Sequence, residues 1–202
     1  MNRNSYPESI KSVLLRGVVH AGAGMSAALA GLWLPRTFFL IVLGVFAILF
    51  ISLELLRFRS RYLNRWFCRI FRPFIRRVER KRITGASYVL TAAWLAFFLF
   101  PQPVAALAIS FMAFGDSSAT FFGKTFGKHR IYDGKTLEGS LACFSACVIT
   151  AVVFISMGLP VPWSAALAGA AVATVAEGAP PVINDNLAIP ILAGLMMSLL
   201  LL

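Results

Sequence analysis

The run Gly115-Asp116-Ser117-Ser118-Ala119-Thr120, continuing through Gly123-Lys124-Thr125-Phe126-Gly127-Lys128 to Gly134-Lys135-Thr136-Leu137-Glu138-Gly139-Ser140, decides how this chain reads. The whole sequence holds eight Asp and Glu, and three of them, Asp116, Asp133 and Glu138, fall within this stretch. Lys124, Lys128, Arg130 and Lys135 fall there too, with five of the fifteen glycines. Long apolar runs lie on either side, where an ionised side chain is costly. An island of mixed charge and glycine between such runs points to a site for a charged ligand.

Working outward, composition fixes the class. The chain has 202 residues, is 59% hydrophobic, has a mean hydropathy of +0.80 and carries 13% charged residues, against about 25% in soluble domains. The expected fold is all-α: a polytopic integral membrane protein forming a single unit over residues 1–202. The net charge of +11 does not read as a nucleic-acid signature, because eleven of the nineteen Lys and Arg lie between Arg57 and Arg82. Basic residues crowded beside spans set topology and attract an anionic lipid surface. Cys143 and Cys147 share a helix face at i, i+4, but with Cys68 they complete no metal set and read as packing residues. The polar N-terminus, with Arg16 and His20 early in the first apolar run, does not read as a cleavable signal.

About seven spans are expected, at roughly 13–34, 38–56, 83–100, 104–121, 140–158, 163–177 and 187–202. The fourth contains Gly115-Asp116, and residues 122–139 read as its following loop. Between the second and third spans, residues 57–82 are basic. There Leu63, Trp66, Phe67, Ile70, Phe71, Phe74, Ile75 and Val78 recur at helical spacing, while Arg61, Arg65, Arg69, Arg72 and Arg76 fill the other face. That pattern predicts an amphipathic interfacial helix, kinked or split at Pro73. Placing this segment in the cytoplasm leaves Arg36 as the one basic residue outside. His20, Glu54, Asp116, Glu177 and Asp185 then come to lie at the cytoplasmic ends of their helices. The small size and lack of organelle signals lead us to expect a prokaryotic plasma membrane, with the N-terminus and active site cytoplasmic.

Carboxylates that approach one another in a low dielectric need a cation, a proton or a paired base. Asp116, Glu138, Glu177 and Asp185 exceed what one structural ion pair requires. Lysines and glycine-rich backbone supply point charge and exposed N–H groups for phosphates. Carboxylates with phosphates imply Mg²⁺. The set therefore matches nucleotide-dependent phosphoryl or nucleotidyl transfer at the membrane surface. A P-loop is excluded: the glycine required five positions before Gly123 and Gly134 is Ser118 and His129, and there is no parallel sheet behind it.

The pattern Gly-Asp-x-x-Ala-x-x-x-Gly-x-x-x-Gly-Lys at 115–128, then Gly-Lys-Thr-x-Glu-Gly-Ser at 134–140, resembles the core motif of the dolichol kinase, phytol kinase and CTP-dependent diacylglycerol kinase family. Arg16-x-x-x-His20 resembles its basic–His pair, and Glu54-x-x-Arg57 its acidic–basic pair. Glu177 with Asn184-Asp185-Asn186-Leu187-Ala188-Ile189-Pro190 resembles its late motif, with Asn184 in place of the usual second Asp. The resemblance spans residues 16–190. It implies transfer of the γ-phosphoryl group of CTP to the hydroxyl of a membrane lipid alcohol, whether polyprenol, phytol or geranylgeraniol, or diacylglycerol.

On that basis Asp116 and Asp185 are the expected Mg²⁺ ligands. Glu138 or Glu177 is a third ligand or the base that orients the hydroxyl. Lys124, Lys128 and Lys135 would hold the triphosphate, with Gly115, Gly123, Gly127, Gly134, Thr136 and Gly139 forming its cradle. Arg16, His20, Glu54 and Asn186 would contact substrate. Duller readings stand beside these. Asp116 is simply a partner for a lysine, Glu54 with Arg57 a structural pair, and His20 a packing residue. Asp133, His129 and Arg130 are solvated loop groups. Two other functions compete: a CTP-dependent lipid-phosphate cytidylyltransferase, whose late Asp-Arg-x-x-x-Asp-like run is missing here, and an ion or organic-anion transporter.

Overall fold

Apolar runs bounded by prolines and glycines become helices, and the breakers set where each one stops. The computed structural model describes residues 10–71, 77–132, 134–180 and 183–201, with the backbone alone at 11, 12, 77 and 78. The expected break at Pro73, the apolar Phe74, Ile75 and Val78 side chains, Arg72, Arg76, Asp133 and Pro181 lie outside the described residues.

Helix α1 spans Ile10–Trp33 and α2 spans Arg36–Arg59, separated by Pro35. Helix α3, Arg61–Ile70, is the described part of the basic segment. Its Phe67 is buried against α2, while Arg61, Arg65 and Arg69 are exposed, as the amphipathic pattern requires. Trp66 and Ile70, expected on the apolar face, are exposed as well. A 3₁₀ turn at Arg77–Arg80 leads to α4, Gly85–Leu99.

The expected fourth span and the start of its loop are one rod. Helix α5, Gln102–Phe111, passes through a π turn at Met112–Asp116 into α6, Ser117–Phe126. Residues 122–126, read from sequence as loop, are thus helical. A short antiparallel hairpin follows, β1 at Arg130–Tyr132 and β2 at Lys135–Thr136. It adds a small β element to an otherwise helical chain. Gly134 turns it with φ of +84°, a conformation open to glycine without steric cost. Helices α7 (Leu137–Ser156), α8 (Trp163–Gly178) and α9 (Asp185–Leu199) complete the chain.

Among the described residues, four helical segments are long and apolar enough to cross a membrane: α1, α2, the α5–α6 rod and α7. Helices α4 and α9 are apolar but shorter, and α8 is a 16-residue helix rich in alanine and glycine. The seven expected spans thus correspond to seven helical segments of unequal length.

The rod is central. Every described side chain from Val104 to Ala113 is buried, which marks a helix enclosed on all sides. Helices α1, α4, α7, α8 and α9 pack around it, and α2 is peripheral, resting on α4 and α3. Small residues permit close approach where apolar side chains gain little by leaving lipid. A Cβ on Gly24 of α1 would lie 2.5 Å from the Cβ of Ala113. At one end of the bundle, Arg36 donates to the carbonyls of Phe97 and Phe98, and Gln102 to those of Gly31 and Leu34. These bonds tie the α1–α2 and α4–α5 turns together. The island lies at the opposite end.

Candidate active site

The π turn carries the first two residues of the motif, Gly115 and Asp116. Its wider ring alters the helical phase between α5 and α6, and such turns recur at functional sites. It delivers Asp116 to within 4.0 Å of His20 Nε2 on α1. Ser117 donates to Gly17 O at 3.2 Å as well as to Ala113 O at 2.7 Å, fixing α1 beside the motif.

On the neighbouring face, the Lys135 ammonium sits between two carboxylates. It lies 2.6 Å from Glu177 Oε1 and 2.8 Å from Asp185 Oδ2. The hairpin, the end of α8 and the start of α9 therefore meet at one cation. Burial of the amine opposes its charge, but the bonds to Asp185 and Glu177 outweigh that and hold its pKa above the ordinary 10.5. Asn184 caps α9, its Oδ1 accepting from Asn186 N at 3.1 Å. Asn is as good an N-cap as Asp, which explains why the altered motif position still builds this helix start.

A cavity of about 590 Å³ is lined by α1, the Asp116 turn and the start of α9, with Lys135 and Glu177 outside its lining; its size is within the range of roughly 300–1,000 Å³ usual for ligand sites. Its polar lining includes Arg16, His20, Asp116, Ser117, Asp185 and Asn186. Asp116 and Asp185, the expected metal pair, thus face one space. Among the described residues no three His, Cys, Asp or Glu groups converge as a ready metal cage. Mg²⁺ usually takes only one or two carboxylates and completes its shell with phosphate and water, and two carboxylates lining one cavity are a donor set of that chemistry.

Other expected residues fall elsewhere. Glu54 is 1% exposed and faces inward. It bonds Arg57 at 3.0 Å, accepts from Thr84 N at 3.1 Å and takes the Ser87 hydroxyl. The expected substrate contact at Glu54 gives way to a structural one, because its lone pairs are used in capping α4. Glu138 does not join Asp116 and Asp185. Its Oε1 lies 2.8 Å from His129 Nδ1, and it accepts from His129 N. The expected role of Glu138 as metal ligand or catalytic carboxylate therefore has no geometric support, since it closes the loop before β1. His129, read as merely solvated, is its partner.

Gly123, Gly127 and Gly139 crowd the Thr136 side chain at the crossing of α6 and α7, and Gly115 crowds Cys143 and Cys147 of α7. The structure gives these glycines a packing duty in place of an open cradle. Thr136 caps α7, its Oγ1 accepting from Gly139 N. Lys124 and Lys128 are exposed near the end of α6, and Gly134 is exposed at the hairpin turn.

Sequence reasoning missed Thr120, which follows Asp116 by one helical turn and lines the cavity. It also missed Glu79, whose Oε1 accepts from Gly85 N at 3.0 Å. The i, i+4 spacing was a usable signal for Thr120; for Glu79 there was none.

Three curated proteins are similar to this chain, all named CTP-dependent diacylglycerol kinase 1. The one from Schizosaccharomyces pombe is 23% identical, covering 73% of this chain and 74% of the relative. That from Saccharomyces cerevisiae is 28% identical, covering 76% and 60%. That from Eremothecium gossypii is 27% identical, covering 72% and 53%. Each likeness covers about three quarters of this chain. No family model matches it, and no solved structure does. Against the last two kinases, the chain spans 60% and 53% of the relative's length. The long apolar helices agree with the integral membrane protein expected from composition.

Proposed function

We propose that this protein is a CTP-dependent lipid kinase that moves the γ-phosphoryl group of CTP onto the hydroxyl of a membrane lipid alcohol, diacylglycerol being the first candidate. The observation that carries the reading is one cavity lined both by Asp116, Asp185 and Arg16 and by the aromatic rings of Phe46, Phe50, Phe67 and Phe71. Such a space accepts a lipid whose one polar group reaches the carboxylates. The relatives' names favour a kinase over a cytidylyltransferase. The gathering of polar groups at one end of the bundle disfavours a transport path.

Phosphoryl transfer needs positioning and charge neutralisation more than covalent help. Lys135 holds Asp185 and Glu177 in place. In this reading it keeps two acids from repelling each other before the nucleotide arrives. Asp116 and Asp185 would hold Mg²⁺, which when bound supplies positive charge against the transferred phosphoryl group. Arg16, together with Lys124 and Lys128, would offset the remaining charge of the triphosphate. His20 lies beside Asp116 on the same cavity, so its imidazole would orient the lipid hydroxyl and receive its proton. The orienting duty expected of Glu138 or Glu177 passes in this reading to His20. Nucleotide and active site would face the cytoplasm, where CTP is made.

The test is transfer from γ-labelled CTP by purified protein in detergent. The acceptor panel is diacylglycerol, polyprenol, phytol and geranylgeraniol. Label should appear in a lipid phosphate, be lost on chelation and return with Mg²⁺, and fall at least a hundredfold in Asp116→Asn. Pyrophosphate release with a lipid phosphate supplied would support a cytidylyltransferase instead. No label in any lipid would reject the kinase.

A further inference from the structure

The phosphoryl-transfer chemistry uses the polar residues that line the cavity, and its apolar lining leaves open how the lipid arrives. That lining is built from Phe46 and Phe50 of α2, Phe67 and Phe71 at α3, and Val89 and Leu90 of α4. Phe46 and Phe50 are one helical turn apart on one face. The Phe50 ring centroid lies 6.2 Å from that of Phe67, which lies 4.7 Å from that of Phe71. The Phe50, Phe67 and Phe71 rings are thus in series, and Phe46 extends the apolar lining one turn along α2.

The lining is open at one place. Phe46 lines the cavity and is nevertheless 55% exposed. Helix α1 packs on α5 and α6, whereas α2 packs on α4 and α3, and the first two helices touch each other little. Both are long and apolar enough to cross a membrane. An opening between them faces hydrocarbon, so the part of an occupant lying in it must be apolar. The part reaching Arg16, His20 and Asp116 must be polar. A single hydroxyl on a hydrocarbon tail meets both conditions.

We propose that the tail of the acceptor lipid enters sideways between α1 and α2 and lies along Phe46 and Phe50, which select acceptors by tail. This rests on the lipid-kinase reading and adds the direction of entry and the residues that read the tail.

The test compares the natural protein with Phe46→Ala, Phe50→Ala and Ile48→Ala. Ile48 is 66% exposed on the same helix and does not line the cavity. Acceptors are short-tailed diacylglycerol, long-tailed diacylglycerol and a long polyprenol. Each phenylalanine variant should lower kcat/KM for the long-tailed acceptors about tenfold relative to the short one, with the KM for CTP unchanged. Ile48→Ala should match the natural protein. Preference for the acyl or the prenyl acceptor would identify the tail's source.

A second readout needs no turnover. A diacylglycerol with a photoactivatable group on its tail is crosslinked without CTP and the labelled peptides are mapped. Label on α1 and α2, displaced by unlabelled lipid, is expected. If that label appears but the natural protein transfers no phosphate, the entry route stands and the kinase reading falls. Label on other helices, or equal losses at every tail length, would overturn the proposal.

Discussion

Arg57 is 1% exposed and enclosed by acceptors and rings. Besides Glu54, it donates to the carbonyls of Glu79 and Arg82 at 3.0 and 2.8 Å, and its guanidinium lies over Phe58 and Phe67. It thereby joins α2 to the chain entering α4. Removing one member of a buried ion pair leaves the other uncompensated. Arg57→Met should therefore lower stability by about 3–5 kcal/mol, read from thermal unfolding in detergent. If unfolding is unchanged, the pair is not a structural tie. Lys135 differs, because both its partners carry motif positions. Lys135→Met should cut transfer by roughly a hundredfold or more and lower the unfolding midpoint by less than Arg57→Met does, because Lys135 and Asp185 stay partly exposed. Lys135→Arg should restore only part, since a planar guanidinium cannot replace a point charge. As the Lys135 pKa is raised above 10.5, its stabilising contribution is complete below the unfolded value. That contribution is lost only as pH rises through the raised value, so no neutral-pH transition should be traceable to it. At this scale sequence gave the residue types and left partners open. Glu54, Glu138 and Glu177 look alike as isolated acids in an apolar chain. Their partners lie 30, 9 and 42 residues away at Thr84, His129 and Lys135.

Helix α6 meets α7 through small residues. A Cβ on Gly139 would come 2.9 Å from the carbonyl oxygen of Ala119, a backbone atom that cannot swing aside. Gly139→Ala should force the helices apart at a cost of about 1–3 kcal/mol and lower activity by moving Lys135 and Asp116 relative to each other. Unfolding midpoint and transfer rate should fall together. An unchanged midpoint would mean that the crossing tolerates a methyl group. This crossing also explains why residues 122–126 are helical where sequence suggests loop. Gly123 weakens a lone helix, but here it buys contact with Thr136 and Gly139. The amphipathic pattern around Phe67 was legible because polarity alternates at helical period over its length. The π turn was not, since its i→i+5 bonding follows from packing on all sides and leaves no periodic signature.

Across the whole molecule, the turns tied by Arg36 and Gln102 lie at one end and the Lys135 clamp at the other. If the site faces the cytoplasm, single-cysteine reporters at Arg130 and Trp33, in a protein cleared of its own cysteines, should label from opposite membrane faces. An impermeant maleimide added to intact cells should reach position 33 and not 130. Labelling of both from one side would refute that orientation. The sequence by itself determined the class, the sites of the helices and the set of polar residues in the motif. Hydropathy, helical period and breakers act within a few turns of one segment. It also sorted those residues to one end, because each sits at a matching end of its own span. Only the tertiary structure decided which of them meet. It set Lys135 between Glu177 and Asp185, turned Glu54 inward and left Glu138 with His129. Those choices depend on which helices pack closely enough to share a cation, and that depends on small residues far apart along the chain.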